Sequence, residues 1–163
     1  MRVMIFLGSD SDLPVIEDAA GLLKEFGVDF GVEVTSAHRT PERTVRLVRE
    51  AEEKGAEVFI AVAGKAAHLP GVVASHTIKP VIGVPVSSEA LAGLDALLSI
   101  VQMPRGVPVA AMALDKQGGS NAALLALEIL ALKDEAVRVR LVEFRAAVAA
   151  RVEAASRKIR EKL

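Results

Sequence analysis

The sequence predicts an α/β protein: a five-stranded parallel sheet with helices on both faces, followed by one extra C-terminal helix. Three observations predict it. Val3 to Leu7 is a continuous apolar run ended by Gly8, the pattern of a strand buried on both faces of a parallel sheet. Four further apolar runs alternate with segments of helical period, which is a βαβ series. Right-handed crossovers then lay the helices on both faces. The chain has 163 residues, about one domain, with no linker, composition shift, repeat or low-complexity segment to suggest a second. A single catalytic domain over 1–163 is therefore expected.

The elements follow in order. After the first strand, Gly8-Ser9-Asp10-Ser11-Asp12 supplies helix-capping types, and Pro14 suits a first helical turn. Val15, Ile16, Ala19, Leu22, Leu23 and Phe26 carry that helix to Gly27. Val28 to Thr35 alternates as a second strand, and Ser36 to Thr40 is a loop. Thr40-Pro41 opens a helix, with Thr40 as N-cap, that runs to about Lys54 before Gly55. Val58 to Val62 is a third apolar strand. Ala63 to His68 is a loop of small residues, and a short helix runs from Leu69 to about Ser75. Val81 to Val84 is the fourth strand, ended by Pro85. Leu91 to Val101 is helical, Val107 to Ala113 is a fifth strand, and Gly118-Gly119-Ser120 opens a helix to about Leu132. From Asp134 to Leu163 one long helix carries the stripe Val137, Leu141, Phe144, Val148, Val152 and Ala155, widened by further valines and alanines. An apolar stripe that wide needs more cover than one sheet face supplies, so the helix is expected to pack against another subunit.

Composition removes several classes of function. There is no cysteine, hence no disulfide, thiolate metal site or cysteine nucleophile, and no sign of an oxidising compartment. Net charge is −1, which gives no basic field for nucleic acid, and Trp and Tyr are absent as stacking platforms. No apolar stretch reaches spanning length, and the chain enters its first strand at once, so neither a membrane segment nor a signal peptide is expected. The expected setting is cytoplasmic.

The chemistry is expected at the carboxyl ends of the strands, where open α/β sheets bind ligands. The loop from Gly8 to Asp12 lies there, at a helix N-terminus that favours a phosphate. Its two aspartates would repel a phosphate set on them, so one is expected to face a neutral part of the ligand such as ribose hydroxyls. A capped turn with no ligand accounts for this stretch equally well. Ser36-Ala37-His38-Arg39 follows the second strand and converges on the first loop. Arg39 is a bidentate donor suited to phosphate, Ser36 adds a hydroxyl, and His38 is a candidate acid and base. Taken alone, a loop His-Arg pair is an ordinary solvated feature; convergence is what favours a site for a phosphorylated small molecule. The third loop, Ala63 to Gly71, would let a flat ligand approach the backbone, although close loop packing explains Ala66 and Ala67 as well. Arg105 is left between a phosphate contact, a subunit contact and a solvated turn. His76 has no assigned role.

Five blocks together resemble one family: Gly8 to Asp12, Ser36 to Pro41, Ala66 to Gly71, Ser99 to Gly106 and Asn121 to Ala126. In this order and spacing they are similar to the PurE family, class I, the N5-carboxyaminoimidazole ribonucleotide mutases of bacterial purine synthesis. The resemblance implies a flavodoxin-like three-layer α/β/α sandwich, a homo-octamer with sites at subunit contacts, and neither metal nor organic cofactor. It implies transfer of a carboxylate from an exocyclic nitrogen to ring carbon C4. It assigns Asp12 to the ribose, Ser9, Ser36 and Arg39 to the phosphate, and His38 to acid/base catalysis. Gly64, Lys65, Ala66, His68 and Leu69 would hold the imidazole and the migrating carboxylate. An ATP-dependent synthetase would supply the labile substrate upstream.

Two positions depart from the family pattern. Val62 and Lys65 stand where the resemblance leads one to expect glycine. The sister branch, which carboxylates the aminoimidazole ribonucleotide directly with CO2, tends to have valine and arginine nearby. It also usually lacks the His-Leu-Pro-Gly run that is intact here as His68 to Gly71. The balance favours the mutase, with the direct carboxylase as the alternative. A non-catalytic flavodoxin-like nucleotide-binding module is a remote third, since the chain has no Trp or Tyr to stack on a flavin.

Overall fold

The computed structural model describes residues 1–163. Five parallel strands lie in the order β2-β1-β3-β4-β5: β1 (Val3–Leu7), β2 (Phe30–Val34), β3 (Val58–Gly64), β4 (Val81–Val86) and β5 (Ala110–Ala111). This is the flavodoxin-like order, with its switch point between β1 and β3. β1 is an interior strand, hydrogen-bonded on both sides, with Leu7 level with Val34 of β2 and Val62 of β3. The three carboxyl ends therefore finish side by side.

The helices between them are α1 (Leu13–Glu25), α2 (Pro41–Glu53), α3 (Leu69–Ala74), α4 (Leu94–Val101) and α5 (Asp115–Ala131), and α6 (Glu135–Arg160) follows. On one sheet face Met4, Phe6, Phe59 and Ala61 join Leu47, Val48 and Ala51 of α2, Leu69 and Val73 of α3, and Ala96 and Ile100 of α4 in one core. Phe6 and Phe59 stack there with ring centres 5.9 Å apart. The alternate residues Val3, Ile5, Leu7, Ile60 and Val62 are also fully buried, so both faces are covered. By contacts the chain divides into Met1–Ala126, which holds the sheet, and Leu127–Leu163, which holds the end of α5 and all of α6. α6 is capped by Asp134, whose carboxylate accepts the Val137 N–H, and Arg145 pairs with Glu128. No helix is long and apolar enough to cross a membrane.

Several predicted boundaries move, each for a local reason. β2 is shorter than Val28 to Thr35, because Val28 N–H turns back to the Leu23 carbonyl. β3 continues two residues past Val62. β4 runs through Pro85 to Val86, because β5 pairs only with Ile82 and Gly83 and the missing proline N–H breaks no ladder beyond them. β5 is two residues, not seven: Val107 closes a turn onto the Pro104 carbonyl, and Pro108 has no donor. α4 starts at Leu94 rather than Leu91, after Gly93 at φ +87°. α5 starts at Asp115 rather than at the glycines. Gly118 and Gly119 are contact glycines: a Cβ would fall 1.8 Å from the Ala113 carbonyl oxygen and 2.0 Å from that of Val15. Thr40 precedes α2 as predicted, but its hydroxyl does not cap that helix. It bonds back to the Ser36 N–H and carbonyl.

Candidate active site

A cleft of about 770 Å³ opens at the carboxyl edge of the sheet. The loops after β1, β2 and β3 line it with Gly8, Ser9, Ser11 and Asp12, then Ser36 to Arg39, then Ala63 to Ala66 and Leu69. Val86, Ser87 and Ser88 complete it from the end of β4.

The first loop is held by its own side chains. Ser9 caps a 3-10 turn over Asp10–Asp12, and the Asp12 carboxylate accepts the Ser9 N–H at 3.0 Å. Ser11 Oγ and Ser9 Oγ lie 2.8 Å apart. Asp12 is the one buried acid of the chain, and burial pushes its carboxyl above the usual carboxylate range despite the Ser9 N–H bond, which works the other way. An ionised Asp12 thus gains from any hydroxyl a ligand offers. Gly8 does not have the positive φ of a forced turn, and a Cβ there would meet only ordinary contacts. Its contribution to the site is its carbonyl, which accepts from Arg39 Nη2 at 3.1 Å.

Arg39 therefore ties the second loop to the first. Its Nε and its backbone N–H also donate to Ser36 Oγ, at 3.3 and 3.2 Å. These bonds leave further guanidinium donors for an anion beside the Ser9, Ser11 and Ser36 hydroxyls. Under this loop a hydroxyl network fixes the backbone: Thr35 bonds Thr44 at 2.8 Å, fully buried, and Thr40 at 3.3 Å.

His38 lines the cleft; His68 does not. His68 stands against His38 instead, Nδ1 to Nε2 at 2.8 Å, with the rings edge to face. One ring must donate and the other accept, so the tautomer of each depends on the other. The third loop bends sharply. Ala67 N–H donates to the Lys65 carbonyl and His68 N–H to that of Ala66. Lys65 sits at φ +55°, a left-handed conformation that costs a residue with a Cβ roughly 1–2 kcal/mol. Gly64 is closely packed, since a Cβ would lie 3.3 Å from the Val86 carbonyl oxygen and β4 would have to yield by a few tenths of an ångström.

The predicted residues Ser9, Asp12, Ser36, His38, Arg39, Gly64, Lys65, Ala66 and Leu69 thus line one cleft, and His68 reaches it through His38. Arg105 does not line it; it belongs to the exposed turn before β5. Sequence reasoning missed Val86 to Ser88. Ser87 N–H is held by Asp115 Oδ1 at 2.8 Å, while Ser88 Oγ is enclosed and has no partner. The one signal in the sequence was a pair of serines shortly after the fourth strand, and its neighbour in the sheet is known only from the structure. No three His, Asp or Glu side chains converge closely enough to hold a metal ion, and no aromatic ring except the His38 imidazole lines the cleft to receive a flavin.

Comparison with known proteins agrees over nearly the whole length. The family model described as AIR carboxylase matches residues 2–151. A Methanocaldococcus jannaschii protein is 56% identical over 159 residues, covering 98% of each chain. One from Pyrococcus horikoshii is 53% identical over 159 residues, 98% of this chain and 89% of that one. One from Escherichia coli K12 is 51% identical over 146 residues, 90% of this chain and 86% of that one. All three are named N5-carboxyaminoimidazole ribonucleotide mutase. The crystal structure of Treponema denticola PurE superposes with a TM-score of 0.88 at 30% identity, covering 96% of this chain and 97% of that one.

Proposed function

The chain belongs to the AIR carboxylase family, and from that premise we propose how its cleft works as an N5-carboxyaminoimidazole ribonucleotide (N5-CAIR) mutase. The activity is an isomerisation in purine biosynthesis, from N5-CAIR to 4-carboxy-5-aminoimidazole ribonucleotide (CAIR). What carries the reading is identity above one half, over 98% of the chain, with proteins of that name.

In this proposal the whole chain, 1–163, is one catalytic domain. Ser9, Ser36 and Arg39 take the phosphate, and Asp12 takes the ribose hydroxyls. The flat imidazole lies along Gly64, Ala66 and Leu69. His38 protonates the exocyclic nitrogen, the N–CO2 bond breaks, and CO2 and aminoimidazole ribonucleotide (AIR) remain together in the cleft. Carbon C4 attacks the CO2, and the same imidazole removes the C4 proton. Because the reaction is a net isomerisation, His38 ends in its starting state. Since His68 engages His38 Nε2, Nδ1 is the nitrogen left for substrate. Acid/base catalysis of this kind is worth about 10²–10⁴-fold, with confinement of CO2 supplying more.

The same proposal includes a homo-octamer with the cleft at subunit contacts, a cytoplasmic location, and an upstream ATP-dependent synthetase that makes N5-CAIR. Exposed Leu91, Leu94, Leu98 and Val101, and Val142 and Val152 on α6, support subunit packing. A second reading, direct carboxylation of AIR with CO2, is favoured by Val62 and Lys65 and by the description of the family model.

A paired assay separates the two. One arm supplies N5-CAIR, the other AIR with excess bicarbonate and dissolved CO2, and both follow CAIR. Fast turnover in the first arm alone is expected, with His38→Asn binding nucleotide but turning over at least about 10²-fold more slowly. Fast turnover in the second arm alone would overturn the mutase reading, and full activity of His38→Asn would overturn the mechanism.

A further inference from the structure

Four charged or titratable side chains line the cleft: Asp12, His38, Arg39 and Lys65. The proposed function uses the first three individually. N5-CAIR and CAIR each carry two anionic groups, a phosphate and a carboxylate. Arg39 is committed to the phosphate end by its bonds to the Gly8 carbonyl and Ser36 Oγ. Lys65 is the other cation, on the loop from β3, and it takes part in no ion pair with the protein.

Its backbone gives the second observation. Lys65 holds φ +55° between Gly64 and Ala66, where glycine would adopt the turn freely. A strained residue kept in a cleft points to a use for its side chain. The residues around it, Ala63, Gly64 and Ala66, are small, so Lys65 carries the one long side chain among the cleft-lining residues of this loop.

We propose that Lys65 is the carboxylate-recognising residue, and that its ammonium sets the preference for carboxylated over decarboxylated nucleotide. This rests on the mutase reading. The chemistry suits lysine. The carboxylate starts on the exocyclic nitrogen and ends on C4, and a point charge on a flexible stem follows it where a planar guanidinium fork would fit one position only. CO2 is neutral, so the ion pair is made with substrate and product and released between them. Lys65 is thus a binding residue: its loss raises KM and leaves kcat unchanged or higher.

Calorimetric titration of AIR and CAIR into wild type, Lys65→Met, Lys65→Gly and Lys65→Arg tests this without turnover. Wild type should prefer CAIR. Lys65→Met should lose about tenfold in CAIR affinity and leave AIR within about twofold. Lys65→Gly, which relaxes the backbone, should do the same, and Lys65→Arg should recover part of the preference. Equal losses for both nucleotides, or an unchanged preference in Lys65→Gly, would overturn the proposal. Wild-type turnover of N5-CAIR is measured alongside. Its absence, with the CAIR preference still lost in Lys65→Met, would sink the mutase reading and leave the role of Lys65 standing.

Discussion

Asp12 shows how one side chain trades stability for a site. It is buried, and burial is the largest influence on its carboxyl, raising it above the ordinary value of 3.8. An acid raised on folding contributes its stability in full below the unfolded value and loses it as pH rises through the folded one. At neutral pH the ionised Asp12 therefore costs folding free energy. Asp12→Asn keeps an oxygen for the Ser9 N–H and removes the buried charge. Thermal melts should show it at least as stable as wild type at pH 7, with the advantage fading as the pH drops towards 3.8, while nucleotide binding weakens. An advantage that grows in acid would contradict the assignment. Charge alone led to the expectation that one of Asp10 and Asp12 faces a neutral part of a ligand, because a carboxylate repels a phosphate, and the choice of Asp12 for the ribose rests on the family resemblance. The burial of Asp12 was not legible, since that depends on how the 3-10 turn folds over it. Nor was the role of His68, because a residue thirty positions from His38 reaches its Nε2 only through the curl of the third loop.

Among the elements, glycines separate what pattern reads from what packing decides. Gly21 in α1 and Gly119 in α5 are both glycines inside helices. A Cβ at Gly21 meets nothing within 4 Å, whereas at Gly119 it falls 2.0 Å from the Val15 carbonyl oxygen. Gly21→Ala should therefore stabilise by roughly 0.5–1 kcal/mol through helix propensity. Gly119→Ala should destabilise by about 1–3 kcal/mol, because α1 and α5 must part. Denaturant unfolding of the two variants measures both, and the same sign in both would contradict the packing account. The sequence pattern located all five strands, because each apolar run in a parallel sheet is bounded by turn residues. It misread Gly118-Gly119 as a helix start, since a close helix crossing and a turn use the same residue. It also ended β4 at Pro85, because the ladder that proline would break stops at Gly83, which only the short β5 reveals.

For the whole molecule, the three loops that the sequence brought together do converge, because β1 pairs with β2 and β3 in register and their ends align. The β4 loop escaped notice because its serines carry no signature until β4 is known to lie beside β3. The sheet-bearing unit still leaves an apolar stripe uncovered. Leu94, Leu98 and Val101 recur at helical spacing on α4 and are each about half exposed, at 54%, 47% and 51%. Leu91 just before the helix is 57% exposed and extends the patch. Scattered exposed leucines are ordinary, but a contiguous row on one helix marks an interface. The partner expected from the proposed function is a second copy of the chain. Light scattering should give a particle of about eight chains, each 17.2 kDa. Leu94→Glu combined with Leu98→Glu should dissociate it, with helix content kept in circular dichroism, since neither side chain belongs to the buried core. Activity should fall with dissociation if the cleft is completed at subunit contacts. A wild-type monomer that turns over N5-CAIR at full rate would contradict both the assembly and its link to the site.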